Sequence, residues 1–140
     1  VDAKYDCNAT VEGNFTVSLT NANEPPSIGS NGAGATASLN ILELTTAVTT
    51  VSGVDPDAGT TLTYSISGGS DQAKFQIDAS SGVMSFISGP DYDNPTDAGS
   101  NNVYEVTVRA SDGSLYDEQI ISVTVTDVFQ NSSPANLISN

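Results

Sequence analysis

Apolar residues along this chain recur at every second position rather than at the three-and-four spacing of a helix. Leu62, Tyr64 and Ile66 alternate with Thr63 and Ser65. Tyr104, Val106, Val108 and Ala110 alternate with Glu105, Thr107 and Arg109; Ile121, Val123 and Val125 alternate with Ser122 and Thr124. A period of two sends successive side chains to opposite faces, so each run predicts a strand with one buried and one wet face. Shorter runs at 37–41, 49–54, 75–77 and 83–86 read the same way. Between them lie Asp55-Pro56-Asp57-Ala58-Gly59, Ser67-Gly68-Gly69, Ser80-Ser81-Gly82, Gly89-Pro90 and Asp112-Gly113. These are turn formers, because Gly accepts positive φ, Pro presets its own φ, and Asp and Ser bond the local backbone. Seven short strands with one apolar face each predict an all-β fold, a Greek-key, seven-stranded antiparallel β-sandwich of immunoglobulin-like type.

The pattern also repeats. At an offset of 106 residues, Phe15-Thr16-Val17-Ser18-Leu19-Thr20-Asn21-Ala22 falls on Ile121-Ser122-Val123-Thr124-Val125-Thr126-Asp127-Val128, Asp6 on Asp112 and Glu12 on Glu118. That offset is the length of one sandwich domain, which predicts a piece of a tandem array. Residues 25–129 form one complete unit in this reading. Residues 1–24 are the last strands of a preceding repeat or an N-terminal strand extension, and 130–140 are linker or tail. Two strands cannot bury a core alone, so 1–24 must pair within the chain or with a neighbour.

Composition narrows the function. The 140 residues carry 17 acidic and 3 basic side chains and no histidine, a net charge of −14. Three scattered cations, Lys4, Lys74 and Arg109, cannot neutralise phosphates, which excludes nucleic acid and a polybasic membrane contact. No stretch approaches the roughly 18 apolar residues of a membrane-spanning helix, and the N-terminus lacks the features of a leader. The chain is therefore expected to be soluble, without membrane insertion, and either matured or cut from something larger. Cys7 is the single cysteine, so no internal disulfide framework or thiolate cluster forms, and it is expected to be a spectator or to pair outside this chain. Nineteen Ser and fifteen Thr beside 14% charged residues suit a β-rich extracellular module. The triplets at Asn8, Asn14 and Asn131 matter only where asparagine is glycosylated.

The acids are grouped at strand ends and turns. Asp55 and Asp57 follow one run, Asp91-Tyr92-Asp93-Asn94 another, Asp112 ends the 103–111 run, Asn23-Glu24-Pro25-Pro26 and Asp127 follow the two repeat-related strands, and Glu43 interrupts Leu42-Glu43-Leu44. In a sandwich these strand ends gather at two poles. Two carboxylates about 4 Å apart repel by roughly 4 kcal/mol at an effective dielectric of about 20. So few cations cannot relieve that, whereas Ca²⁺ takes about six to eight oxygens in irregular geometry. Zinc and copper want His or Cys, and His is absent. Placement alone leaves open both calcium and a plain solubilising surface.

These residues carry a resemblance to the bacterial cadherin-like repeats, over roughly 23–127. Val54-Asp55-Pro56-Asp57-Ala58-Gly59 with Leu62-Thr63-Tyr64-Ser65-Ile66 resembles the family's "DxD…YsI" signature. Phe75-Gln76-Ile77-Asp78 through Ser81-Gly82-Val83-Met84 resembles its "FxID…TGxI" hairpin, and Asp91-Tyr92-Asp93 stands where it has "DRE" or "DxE". VYEVTVRASDG, 103–113, is similar to "YxLxVxAxDxG"; TNANEPP, 20–26, and TVTDVFQN, 124–131, resemble its "VxDxNDNxP" linker. The resemblance implies a cadherin-type sandwich with Ca²⁺ at junctions between repeats. Upper-pole ligands would be Asp55, Asp57 and Asp112 with linker residues Asn21, Asn23 and Glu24. Lower-pole ligands would be Glu43, Asp91 and Asp93 with Asp127. Two departures stand out. Asp93 replaces the commoner Glu, and Phe129-Gln130 replaces the expected Asn with Asp or Glu, so the C-terminal junction is expected to bind weakly or not at all.

The function implied is a non-catalytic extracellular adhesion or spacer module, at a cell surface or secreted, whose calcium stiffens a multi-repeat adhesin. Its partners would be adjacent repeats of the same or a like chain, with polysaccharide or another cell-surface protein as further candidates. Two alternatives are a self-assembling filament subunit, whose N-terminal strands complete a neighbour's sheet, and a carbohydrate-binding module of a biofilm matrix. Catalysis is the poorest reading, since there is no His and Cys7 has no basic partner. An aspartate pair would need a cleft that nothing here suggests. Asp78 is expected to organise a turn, Asp97 to sit in a solvated loop, and Tyr64, Tyr104, Phe75 and Phe86 to fill the core.

Overall fold

The computed structural model describes residues 20–129. Its frame is a long hairpin, β8 (Val103–Ser111) and β9 (Tyr116–Thr126), paired antiparallel from Val103↔Thr124 to Ser111↔Tyr116. Tyr104, Val106, Val108 and Ala110 are buried on one strand and Ile121, Val123 and Val125 on the other, which is the face the alternation predicts. Beside β8 lies β5 (Thr63–Gly68), antiparallel, and beside β9 lies β2 (Thr36–Leu42), so the sheet order is β2-β9-β8-β5. The facing sheet is β3 (Ala47–Thr50), β7 (Val83–Phe86) and β6 (Phe75–Ile77), in the order β3-β7-β6. A short pair, β1 (Ser27–Ile28) with β4 (Gly53–Val54), continues from β3. The one helical element among the described residues is a 3₁₀ turn at Gln72–Lys74.

All seven predicted runs appear as strands, although the 49–54 run breaks into β3 and β4 around buried Val51. Two features depart from expectation. Strand β1 was not legible, because two residues after a Pro-Pro pair carry no period. The sheet is also not wholly antiparallel, since β2 runs parallel to β9 from Thr36↔Ile120 to Leu42↔Thr126. Strand β1 lies level with the start of β9, where Ile28 N–H donates to Asp117 Oδ2 (2.8 Å). The chain then crosses between sheets over residues 29–35 without reversing, so β2 must run along β9 in the same direction.

The core is aromatic at its centre. Phe75 and Phe86 stack with centroids 4.4 Å apart, and Tyr104 meets them edge-on at 6.5 and 5.1 Å. Burying a side chain of this size stabilises by about 1.5–3 kcal/mol. Tyr64 joins them in the core, so the four aromatics expected inside are inside. Predicted features at residues 1–19 and 130–140, including the repeat-matched strands and Cys7, lie outside the described residues. The described stretch 20–26 has no regular secondary structure.

Candidate functional site

Strand ends set the site. Strand β9 is 11 residues long, and at about 3.4 Å per residue it separates its two ends by roughly 35 Å. Asp112 lies at one end, the upper pole, and Asp127 at the other, the lower.

At the upper pole the sequence builds two Asx turns. Asp57 N–H donates to Asp55 Oδ1 (2.7 Å) across Pro56, and Gly59 completes the bend at φ +83°. Asp112 Oδ1 accepts the N–H groups of Ser114 (2.6 Å) and Leu115 (2.7 Å), closing the β8–β9 turn. The linker binds both turns. Asn21 Nδ2 donates to Asp57 Oδ1, Glu24 N–H to Asp57 Oδ2 (2.8 Å), and Asn23 Nδ2 to Asp112 Oδ2 (2.8 Å). Two hydrogen-bonded sets result, Asn21, the Glu24 backbone, Asp57 and Asp55 in one and Asn23 with Asp112 in the other, joined through the linker chain 21–24. The Leu115 and Ser114 N–H groups, helped by Asn23, hold the Asp112 carboxyl below the usual aspartate value. One atom in the group is unsatisfied: Asp55 Oδ2 is buried and has no hydrogen-bond partner. Such an acceptor is expensive unless something fills its lone pairs.

The lower pole is built around Glu43, whose side chain is 3% exposed. Its Oε2 accepts Tyr92 N–H (2.8 Å) and its Oε1 accepts Val128 N–H (3.2 Å), tying the 91–94 turn to the chain leaving β9. Asp93 N–H donates to Asp91 Oδ1 (3.0 Å). A side-chain hydrogen bond with Glu43, reinforced by the charges of Glu43 and Asp93, raises the Asp127 carboxyl above its ordinary value. Like charges are thus gathered here too, but Glu43 is occupied by backbone donors. Phe129, where the resemblance leads one to expect an oxygen ligand, is 79% exposed.

Among the described residues, no three acidic side chains converge closely enough to hold an ion by themselves. At the upper pole the side chains are carboxylates and amides, all able to offer oxygen, although Asn21 and Asn23 here turn their Nδ2 groups to Asp57 and Asp112, and Asp55 Oδ2 is left without a donor. That set fits a hard cation better than a soft one. Arg109 does not offset this pole, being committed to Glu118 (3.0 Å) and stacked 3.8 Å over Tyr116.

Other acids hold loops. Asp78 Oδ1 accepts N–H from Ser80 (2.9 Å) and Ser81 (2.8 Å) and the Ser81 hydroxyl (3.0 Å), the turn role expected of it. Asp97 is not in a solvated loop as expected. It is 4% exposed and accepts N–H from Asn101 (3.0 Å) and Asn102 (2.8 Å), which fold the 97–102 loop back over it. Sequence reading passed over Asp71, also 4% exposed, whose Oδ1 accepts Ala98 N–H (2.7 Å) and Oδ2 Glu105 N–H (2.9 Å). Its partners are 27 and 34 residues away, so no local signal could have marked it.

The comparisons agree with this architecture. The Cadherin domain family model matches residues 36–126, from β2 through the end of β9. Human Protocadherin Fat 1 is 34% identical over 137 residues, covering 94% of this chain and 3% of that protein. Mouse Protocadherin Fat 4 is 42% identical over 89 residues, covering 60% of this chain and 2% of that protein. The chain thus spans a few per cent of the length of these relatives. They are animal proteins and lend no support to the bacterial branch expected from the motifs. Among solved structures, mouse cadherin-23 EC22-24 gives a TM-score of 0.61 at 24% identity, covering 76% of this chain and 34% of that one. The extracellular domain of protocadherin gammaB4 gives 0.62 at 21%, covering 79% and 17%. Family model, relatives and fold converge on the segment whose strand ends carry the carboxylate turns, and the chain belongs to the cadherin domain family.

Proposed function

We propose that this domain is a calcium-stiffened spacer in a tandem extracellular array, binding Ca²⁺ at its upper pole through Asp55, Asp57 and Asp112 with linker residues Asn21, Asn23 and Glu24. The cadherin domain is an extracellular, adhesion-type module without catalytic chemistry, found in series with others of its kind, and that frames the reading. The observation that carries it is Asp55 Oδ2, a buried carboxylate oxygen without a donor in a group already drawn together by the linker. Bound there, Ca²⁺ would supply positive charge and extra coordination to oxygens that otherwise repel. Asn21 and Asn23 now donate their amide N–H groups to Asp57 and Asp112; as ligands they would turn to present their carbonyl oxygens. Linker and sandwich would then move as one body. Binding to the folded state alone adds roughly 2.7 kcal/mol at a free concentration about 100 times the dissociation constant.

The lower half-site, Glu43, Asp91, Asp93 and Asp127, is the weaker of the two in this proposal. Glu43 already accepts two backbone N–H groups and Phe129 offers no oxygen. The filament alternative draws on nothing in the described residues, and the glycan-binding one has there only the exposed aromatics Tyr92, Tyr116 and Phe129. The donated strands lie outside the described residues, and the aromatics Tyr64, Tyr104, Phe75 and Phe86 are core.

A thermal melt in chelator, then in millimolar Ca²⁺ with Mg²⁺ as control, tests the reading. The expected result is a Ca²⁺-specific rise of several degrees that disappears when Asp55 and Asp57 are both changed to Ala. No rise, or a rise that survives the double change, would refute the upper-pole site.

A further inference from the structure

The crossover at residues 29–35, GSNGAGA, is fastened to both sheets. On one side, the N–H groups of Gly29 and Ser30 donate to Ser52 O (2.9 and 3.3 Å), and Ser52 N–H donates back to Ser30 Oγ (3.0 Å). On the other, Gln119 of β9 is fully buried, and its Nε2 donates to Ser30 O (3.2 Å) and Gly34 O (2.8 Å). Asn31 spans the two. Its Nδ2 donates to Gln119 Oε1 (3.1 Å), and its Oδ1 accepts the Thr49 hydroxyl of β3 (2.8 Å).

This latch requires an amide at position 31. Gln119 has both N–H groups committed to carbonyls, so its oxygen must face Asn31, and only a donor can meet it. A carboxylate there would set oxygen against oxygen. Turning Gln119 over would set its own oxygen against two carbonyls instead.

Asn31 is also the one asparagine in the chain followed by glycine. Without a Cβ, Gly32 leaves its backbone nitrogen open to approach. That nitrogen can attack Asn31 Cγ and lose its proton, while the Cγ–Nδ2 bond breaks and ammonia leaves. Water then opens the cyclic imide at either carbonyl, giving aspartate or isoaspartate, so water is the only co-reactant. Either product loses the Nδ2 donor: aspartate sets a carboxylate oxygen in its place, and isoaspartate takes Cγ into the main chain and leaves a carboxylate on Cα. Isoaspartate also lengthens the main chain inside a turn where Asn31 and Gly32 both hold left-handed backbone, at φ +54° and +88°.

We infer that Asn31-Gly32 is a deamidation site that the folded crossover guards and that, once converted, releases the crossover irreversibly. While Gln119 and Thr49 hold both ends of the amide, Cγ cannot swing onto the Gly32 nitrogen. When the latch opens, conversion competes with reclosure, and the product cannot relatch. Loss of the latch loosens β1, which directly follows the linker docked on Asp57 and Asp112.

The whole chain is incubated in warm, mildly alkaline buffer, with and without moderate urea, and followed by peptide mapping with isoaspartate detection. In urea, Asn31 should convert ahead of every other asparagine. In native buffer it should be slower by at least about tenfold, equivalent to about 1.4 kcal/mol for opening the latch. Thr49→Val should speed the native reaction several-fold. Asn31→Asp should melt about 4–8 °C below the parent and also below Asn31→Gly, which loses the bonds without adding the repulsion. Equal rates in the two buffers, no lead for Asn31 in urea, or an Asn31→Asp variant that melts with the parent would overturn the inference. The kinetic comparison needs only the unmodified chain, so it stands even where a variant fails to fold.

Discussion

Carboxylates in this chain are distinguished by what their oxygens touch. Asp78 is held below its ordinary value of 3.8 by the Ser81 N–H and hydroxyl and the Ser80 N–H. At Asp97 burial pushes upward, but the N–H groups of Asn101 and Asn102 outweigh it and the carboxyl again lies low. A depressed folded value means these groups stabilise the fold above the ordinary aspartate range, and that contribution is lost as pH falls through the folded value, below 3.8. Asp127 has the opposite sign. Its raised value favours the protonated folded form, so its contribution is present at low pH and lost as pH rises through a value above 3.8. Acid titration of a chelated sample, followed by circular dichroism, should therefore show the main loss of stability below the ordinary aspartate range. Asp97→Asn should cost about 1–3 kcal/mol in urea denaturation, because one amide N–H must then face a buried backbone N–H. A variant as stable as the parent would show that the 97–102 loop does not depend on this clamp.

Packing between elements tolerates little change. Gly82 has φ +75°, and a Cβ built on it would lie 2.0 Å from Val51 O. The Gly82 carbonyl in turn accepts Val51 N–H (2.8 Å), so this glycine sets how closely β3 and β7 approach. Met84, on the same hairpin, is fully buried. Met84→Ala is expected to cost about 2–5 kcal/mol from lost contact and the cavity left behind. Gly82→Ala should cost more, because it adds a backbone clash to a left-handed conformation. Urea midpoints of the two variants check that order, and a mild Gly82→Ala would mean the sheets can spread at this point. Strand faces in β8 and β9 were legible because alternation is local, and the ends of β6 and β7 were marked by turn residues. The parallel pairing of β2 was not legible, since its direction depends on a crossover pinned by Gln119, 85 residues beyond Gly34.

For the whole molecule, a net charge of −14 with few cations makes self-repulsion general. Melting temperature in chelator should rise with sodium chloride as the screening length shrinks toward about 10 Å near 0.1 M. Calcium should exceed that rise at far lower ionic strength if it acts at a site and not only by screening. Differential scanning calorimetry over matched ionic strengths separates the two, and identical curves would reduce the ion's effect to screening. Because the poles lie roughly 35 Å apart along β9, in the proposed array each would face a different neighbour, and one could be tight while the other is loose.

The strand faces and the turns between them were determined by sequence alone. Each depends on residue type and on spacing within a few positions. Spacing alone marked the upper pole only as turns, and it was the family resemblance that led one to expect Asp55, Asp57 and Asp112 to meet Asn21, Asn23 and Glu24. The grouping itself depends on Asn23 meeting Asp112 and Glu24 meeting Asp57, contacts 89 and 33 residues apart in the chain. Tertiary structure alone decided that Asp71 and Asp97 are buried clamps, that Asp55 keeps one buried oxygen without a donor, and that Asn31 must be an amide. The physical reason is common to all three. What a polar group costs or contributes is set by the partners that folding brings to it: distant ones for Asp71 and Asn31, the folded-back 97–102 loop for Asp97, and none for Asp55 Oδ2.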